Sequence, residues 1–362
     1  MRQGKVVVFH KPGVPLEIRS EPCPDPAPNE ALVRVEMAGV CGSDAHRLSG
    51  DINVQSQPVC FGHEGVGVVE ALGERMTSDR GGAPLAVGDR VYWAPSTPCG
   101  TCEACRASNP MFCKDLNWPV PAGGPNAAAF RDLATLNERM IMYRIPEGTS
   151  SAAVITFGCA MPTALRGFQK LGPLGDNVII QGAGPVGLAS TLLASLAGAR
   201  NIIVIGAPDN RLDVARKLGA THTISVTATT VPERRELIAK LTEGRRATTV
   251  VEAAGRPEAF PEGFDLLGMN GQYLILGLYS GQAVAPIDPV RINNFNLKII
   301  GSLGIDPETY LRTIEIATEH GTRLRFEDLI THRFPLQDIE KAIGTVAQGD
   351  SVKTVVVPEI AT

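Results

Sequence analysis

The chain has 362 residues, 44% of them hydrophobic and 20% charged, with a formal net charge of −4. This length exceeds one ordinary core and predicts two domains, and the composition excludes a disordered chain. The acidic balance and the lack of any basic stripe argue against nucleic acid or an anionic membrane surface as the main partner.

The N-terminal residues Met1-Arg2-Gln3-Gly4-Lys5 run straight into the strand-like Val6-Val7-Val8-Phe9. No apolar h-region precedes a small-residue cleavage site, so the expected location is the reducing cytoplasm. Residues 31–37 alternate as a half-buried strand, and 65–70 and 89–93 read as two more. Turns fall at Pro12-Gly13, Pro22 to Pro28, Gly81-Gly82 and Gly123-Gly124-Pro125. Up to about residue 155 the expectation is a β-rich, barrel-like domain with a cysteine-rich excursion.

After Cys159 the pattern changes. Helices are predicted over 160–170, 185–196, 209–218, 232–241 and 257–267. Strands are predicted over 177–180, 201–205, 223–225, 249–252, 271–277 and 297–301. Such alternation means a parallel sheet wound on both faces. The most apolar long stretch, 178–197, carries Gln181, Gly182, Gly184, Gly187 and Pro185, so it reads as strand, turn and helix and not as a membrane span. The C-terminal stretch has two helix-like pieces and ends in a strand over 353–357, expected to return to the first domain.

Cys99, Cys102, Cys105 and Cys113 are spaced C-x2-C-x2-C-x7-C. Four thiolates at that density suit a tetrahedral structural zinc, and the alternative of two disulfides needs an oxidising compartment. Such a site has no open position, so it clamps a loop that leads to Trp118 and performs no chemistry. Gly182-x-Gly184-x-x-Gly187 follows a predicted strand and opens a predicted helix, the context in which a glycine-rich turn cradles a dinucleotide pyrophosphate. An acidic residue usually ends the next strand and holds the ribose of NAD. Here that position is Gly206, followed by Ala207, Pro208, Asp209, Asn210 and Arg211. The charge of Asp209 favours NAD over NADP, and NADP stays open. Cys41, His63 and Cys159 together would supply a Cys2His catalytic zinc with one open position.

With these residues the chain resembles the zinc-dependent medium-chain alcohol dehydrogenases, over essentially its whole length. The four clustered cysteines match that family's structural zinc lobe, and Cys41 with Ser43, Asp44 and His46 matches its first ligand and proton relay. Gly62-His63-Glu64 and Gly158-Cys159 match its further ligand motifs, and Gly182-Ala183-Gly184-Pro185-Val186-Gly187 its cofactor loop. The resemblance implies a GroES-like catalytic domain, 1–160 with 304–362, carrying a zinc lobe at about 95–115, and a Rossmann domain, 161–303. It implies two zincs per chain, with Cys41, His63 and Cys159 on the catalytic one and Glu64 close behind it. Ser43 would take the alcohol proton and pass it through the nicotinamide ribose to His46, and Asp44 would bond His63. Lys353 matches a cation near the pyrophosphate. Ile52, Trp118 and Phe157 would face the substrate, and Ser43 stands where many relatives have threonine. This set suggests a hydrophobic, bulky secondary alcohol or its ketone more than a polyol. Gly158 to Thr163 and Gly206-Ala207-Pro208 are similar to bacterial dehydrogenases of cyclic terpenoid alcohols. The resemblance also implies a homodimer or homotetramer. The competing activity on the same fold is a zinc-independent enoyl or quinone reductase, and the competing class is a nucleic-acid zinc module.

Overall fold

The computed structural model describes residues 2–52, 58–117, 119, 126–277, 280–281 and 284–358. The chain divides into one unit of Met1–Cys159 with Ile305–Thr362 and a second of Ala160–Gly304. Among the described residues no helix is long and apolar enough to cross a membrane.

The first unit is built on a seven-stranded sheet. Its central strand, Glu30–Val40, pairs antiparallel with Gly65–Leu72, with Leu133–Asn137 and with the C-terminal strand Lys353–Val357. The C-terminal strand therefore closes onto the first unit through Thr354↔Val40, Val355↔Gly39 and Val356↔Ala38. Alternating side chains of these strands bury one face, where Val33, Val35, Val69, Val91 and Val356 meet Phe9, Phe61, Phe130 and Trp93. Both chain segments supply this core, since Leu336, Ile339, Ala342 and Ile343 pack into it. A smaller sheet joins Arg2–Phe9 to Glu17–Cys23 and Val59–Cys60.

Helical structure in the first unit exceeds the β-rich expectation. A helix over Gly42–Ser49 begins directly after the central strand, capped by Cys41 and closed by Gly50 in the left-handed region at φ 88°. Its glycine start and polar composition hide it from periodicity, yet it positions three of the site residues. A second missed helix, Ser151–Ile155, is wholly buried, and its Ser150 cap accepts from Ala153 N at 3.0 Å.

The second unit is a six-stranded parallel sheet. From one edge its strands are His222–Ser225, Asn201–Gly206, Asn177–Gln181, Ala247–Glu252, Leu267–Ile275 and Lys298–Gly301. Chain order reverses at Asn177–Gln181, so the crevice for a ligand opens at the carboxyl ends beside that strand. Ile179, Ile203, Ile205, Val250 and Tyr273 fill one face against Ile238, Phe260 and Phe264. The strands are β-branched and apolar on both faces, as a sheet covered by helices requires. Helix and strand bounds differ from the sequence expectation by a few residues at several ends, most at Leu267–Ile275, which starts before the anticipated Gly271.

Candidate active site

Cys41, His63, Glu64 and Cys159 come together in the first unit, with one ligand atom of each within 4.8 Å of the others. Three elements deliver them: the end of the central strand, the turn before Gly65–Leu72, and the turn after Ser151–Ile155. Cys41 Sγ and Cys159 Sγ lie 3.4 Å apart. Zinc–sulfur bonds near 2.3 Å set tetrahedral sulfur–sulfur edges at about 3.8 Å, so the two thiols stand close to a coordination edge and far outside the ~2.05 Å of a disulfide.

Asp44 organises the cluster. It has no exposed surface. Its Oδ2 accepts from Cys41 N at 3.0 Å, and its Oδ1 lies 3.1 Å from His63 Nδ1 and 3.5 Å from Arg47 Nη1. One carboxylate thus fixes one ligand's backbone and another ligand's ring, and a proton on Nδ1 leaves Nε2 as the donor atom. Burial disfavours a charged imidazole, but the Asp44 carboxylate and the Cys41 sulfur outweigh it and hold the His63 pKa up at about 10. The bond from Cys159, with help from His63 and Ser43 and against burial, holds the Cys41 thiol well below its ordinary value. The same bond, with burial and the charges of Cys41 and Glu64, pushes Cys159 well above its own. The cluster therefore seeks positive charge, which a divalent cation supplies better than a proton. The residues present fit a catalytic zinc.

Ser43 Oγ is 3.3 Å from His63 Nε2, at the donor side of the ring. His46 lies on the exposed side of the same helix, its Nδ1 3.1 Å from Asp51 Oδ2. Ile52 follows, half-buried, its N–H donating to His46 O at 3.1 Å. Glu64 is 1% exposed and sits in a slot that only glycine permits on two sides. A Cβ at Gly39 or at Gly158 would lie 1.8 Å from Glu64 Oε2. Lys353, expected near the pyrophosphate, is 3% exposed and its Nζ donates to Glu64 Oε2. The antiparallel pairing Thr354↔Val40 is what carries it there, a long-range register that local sequence does not display. Phe157 is also inside, its ring edge-on to Phe326 at 5.1 Å. Trp118 lies outside the described residues.

The second cluster is Cys99, Cys102, Cys105 and Cys113, again with all four sulfurs within 4.8 Å of one another. Cys105 Sγ lies 3.5 Å from Cys102 Sγ and 3.9 Å from Cys99 Sγ. All eight cysteines are free thiols. Backbone amides aim at the sulfurs: Cys102 N donates to Cys99 Sγ at 3.3 Å and Cys99 N to Cys113 Sγ at 3.2 Å. Amides of Thr101 and Cys102 draw the Cys99 thiol down to about 6. Four converging thiols with amide support fit a closed structural zinc.

In the second unit the glycines act for separate reasons. Gly182 has φ 105°, and Gly187 packs so closely that a Cβ there would lie 1.9 Å from Gly182 O. A Cβ at Gly184 would meet nothing within 4 Å, which leaves the approach open over the helix start. That helix, Pro185–Leu196, begins Pro185-Val186-Gly187 and has no side-chain cap on its first amides. Uncapped amides facing an open approach fit a dinucleotide pyrophosphate. Gly206 offers the ribose nothing, and a Cβ there would lie 2.8 Å from Ala183 Cβ. Asp209 is exposed in the first turn of the next helix, with Arg211 beside it. Sequence reasoning missed Glu252, which is fully buried and accepts from Ala254 N, Gly255 N and Gly277 N at 2.8, 2.7 and 3.1 Å, tying the loops at the strand ends.

Comparisons with known proteins agree with this geometry. Residues 27–147 match the alcohol dehydrogenase GroES-like domain, and residues 185–319 match the zinc-binding dehydrogenase family. The chain is 42% identical over 334 residues to the 5-exo-hydroxycamphor dehydrogenase of Pseudomonas putida, covering 92% of each chain. Its fold matches an alcohol dehydrogenase from Thermotoga maritima with a TM-score of 0.90 and 29% identity, covering 99% of this chain and 100% of that one. A zinc-binding dehydrogenase from Sinorhizobium meliloti bound to NADP follows at 0.85 and 27%, with the same coverage. Nothing in these findings supports a zinc-independent reductase. The chain belongs to the zinc-dependent medium-chain alcohol dehydrogenases, oxidoreductases that move a hydride between an alcohol and NAD(P).

Proposed function

We propose that this enzyme oxidises a hydrophobic, bulky, cyclic secondary alcohol to its ketone, with NAD as the preferred acceptor. The observation that carries the substrate class is the 42% identity to an enzyme named for a hydroxylated camphor. Ser43, with no methyl beside the donor face of His63, supports a roomy approach. Asp209 supports NAD through repulsion of a 2′-phosphate, and Arg211 is the rival feature.

In this reading Cys41, His63 and Cys159 hold the catalytic zinc, and Cys99, Cys102, Cys105 and Cys113 hold the structural one. The catalytic ion, when bound, lowers the pKa of an alcohol hydroxyl and polarises a carbonyl. Asp44 orients His63, and Glu64, held by Lys353, stands behind the ligands as a further oxygen donor. Ser43 Oγ accepts the alcohol proton, and His46, with 43% of its side chain exposed, returns it to solvent. Ile52 borders the substrate. The backbone of Gly182, Gly184, Pro185, Val186 and Gly187 takes the pyrophosphate.

The reading includes a homo-oligomer in the cytoplasm. Eight free thiols support a reducing compartment. The edge strand Lys298–Gly301 supports self-association, with Ile299 within it 36% and Leu303 just past its end 53% exposed. The test is a panel of primary, cyclic secondary and terpenoid alcohols, followed by reduced-nicotinamide absorbance with NAD and NADP in parallel. Higher kcat/KM for cyclic secondary alcohols with NAD is expected. Preference for polyols or primary alcohols would overturn the substrate class.

A further inference from the structure

Two tyrosines behind the Cys41–His63–Cys159 cluster have no part in the chemistry so far described. Tyr92 lies mid-strand in Arg90–Trp93, between Val66 on one neighbour and Tyr143 on the other. Tyr310 lies in the first turns of the helix Pro307–His320, whose N-terminus is capped by Asp306. Their rings stack at 4.6 Å and 19°, and they are 0% and 1% exposed. Packing alone would be met by two phenylalanines. The Tyr92 hydroxyl instead donates to Gly158 O at 2.8 Å, across 66 positions of sequence.

Gly158 immediately precedes Cys159 and carries φ 43°, in the left-handed region. It cannot take a side chain, because Glu64 fills the space where a Cβ would stand. Its N–H donates to Ile155 O at 2.9 Å, while Thr156 Oγ1 donates to Ala152 O and Phe326 O at 2.8 Å each. A glycine in an unusual conformation has many alternatives, so something must hold it. The Tyr92 bond is the contact that fixes the far side of this peptide. Rotating the Gly158–Cys159 peptide would swing Cys159 Sγ away from Cys41.

We propose that Tyr92, braced by the stacked ring of Tyr310, is a positioning residue that pins the Gly158 carbonyl and so aims Cys159 at the catalytic metal position. The inference rests on the reading of Cys159 as a zinc ligand. Strand Arg90–Trp93 pairs directly with Gly65–Leu72, the strand that leaves His63 and Glu64. One rigid element therefore sets the spacing of two ligand segments that lie far apart in sequence.

The test is Tyr92→Phe, which keeps the stack and removes the hydroxyl. Zinc content is measured per chain, then release of each zinc to a chelator is timed, with the four-cysteine site as internal reference. Loss of a partner that orients a ligand typically weakens a metal site by roughly 10- to 100-fold. Release of one zinc should accelerate by about that range while the other leaves at the wild-type rate. The cobalt-substituted variant should show a shifted thiolate-to-metal band. Unchanged release and spectrum in folded Tyr92→Phe would overturn the inference. If Tyr92→Phe does not fold, Tyr310→Leu removes the brace instead, and the same selective acceleration is expected, with unchanged release again counting against the inference. A wild-type enzyme with only one zinc would overturn the ligand assignment itself, an outcome distinct from two zincs that Tyr92 does not influence.

Discussion

Asp44→Asn isolates what a single buried carboxylate does for the catalytic cluster. The substitution preserves shape but leaves one acceptor oxygen where the structure uses two. Cys41 N donates to Oδ2 at 3.0 Å, and His63 Nδ1 meets Oδ1 at 3.1 Å. Whichever way the amide turns, one donor faces an NH2 group in a site with no solvent. A buried donor left unsatisfied costs about 1–3 kcal/mol. His63 can escape by moving its proton to Nε2, but that removes the atom that faces the other ligands. Arg47, whose Nη1 stands 3.5 Å from Oδ1, also loses its counter-charge beside the cation position. Both effects weaken zinc binding, and ~1.4–2.8 kcal/mol corresponds to a loss of about 10- to 100-fold. Chelator competition, with the four-cysteine site as reference, reads this directly. The fold and that reference site should be unchanged. Wild-type zinc affinity in folded Asp44→Asn would refute the reasoning that this carboxylate sets the ligand geometry.

Gly158→Ala should lower the melting temperature and deplete the catalytic zinc together. Its Cβ would enter the Glu64 carboxylate, and the φ of 43° adds about 1–2 kcal/mol of backbone cost for a non-glycine residue. A normally melting Gly158→Ala enzyme with full zinc content would contradict the slot. Cys102→Ala should lose stability or assembly before it loses chemistry, because a closed four-thiolate zinc contributes folding energy and binds no substrate. Normal melting with one zinc missing would argue against a structural role. Gly206→Asp, which restores the acid typical of NAD sites, should lower stability by about 1–3 kcal/mol, the usual cost of overpacking. The cause is Ala183, whose Cβ and N would lie 2.8 and 2.9 Å from the new Cβ. Thermal melting together with the ratio of kcat/KM for NAD and NADP tests this, and an unperturbed melting temperature would contradict it.

The parallel sheet was legible because its strands are short apolar runs separated by helices of clear period, as at 177–180 and 201–205. The first unit was harder, since the Gly42–Ser49 helix starts with glycine and buries only Asp44. The four clustered thiols announced themselves by spacing. Cys41, His63 and Cys159 did not, because strand pairing and two turns bring them together across 118 positions. Donor chemistry suggested a Cys2His set, and the resemblance to a family gave each member its role. The Lys353–Glu64 contact was not legible either, because only the register with the central strand brings the two together. Tyr92 and Glu252 left no signal, since a tyrosine in a β-strand and an acid ending one are ordinary until their partners are known.

The central claim is that chemistry occurs at Cys41, His63 and Cys159 and not at the denser cysteine cluster. Zinc content, melting and alcohol turnover measured on the same preparation of Cys41→Ala test it most directly. One zinc per chain instead of two, an intact melting transition and lost turnover are expected. Folded Cys41→Ala enzyme that keeps wild-type alcohol oxidation would contradict it.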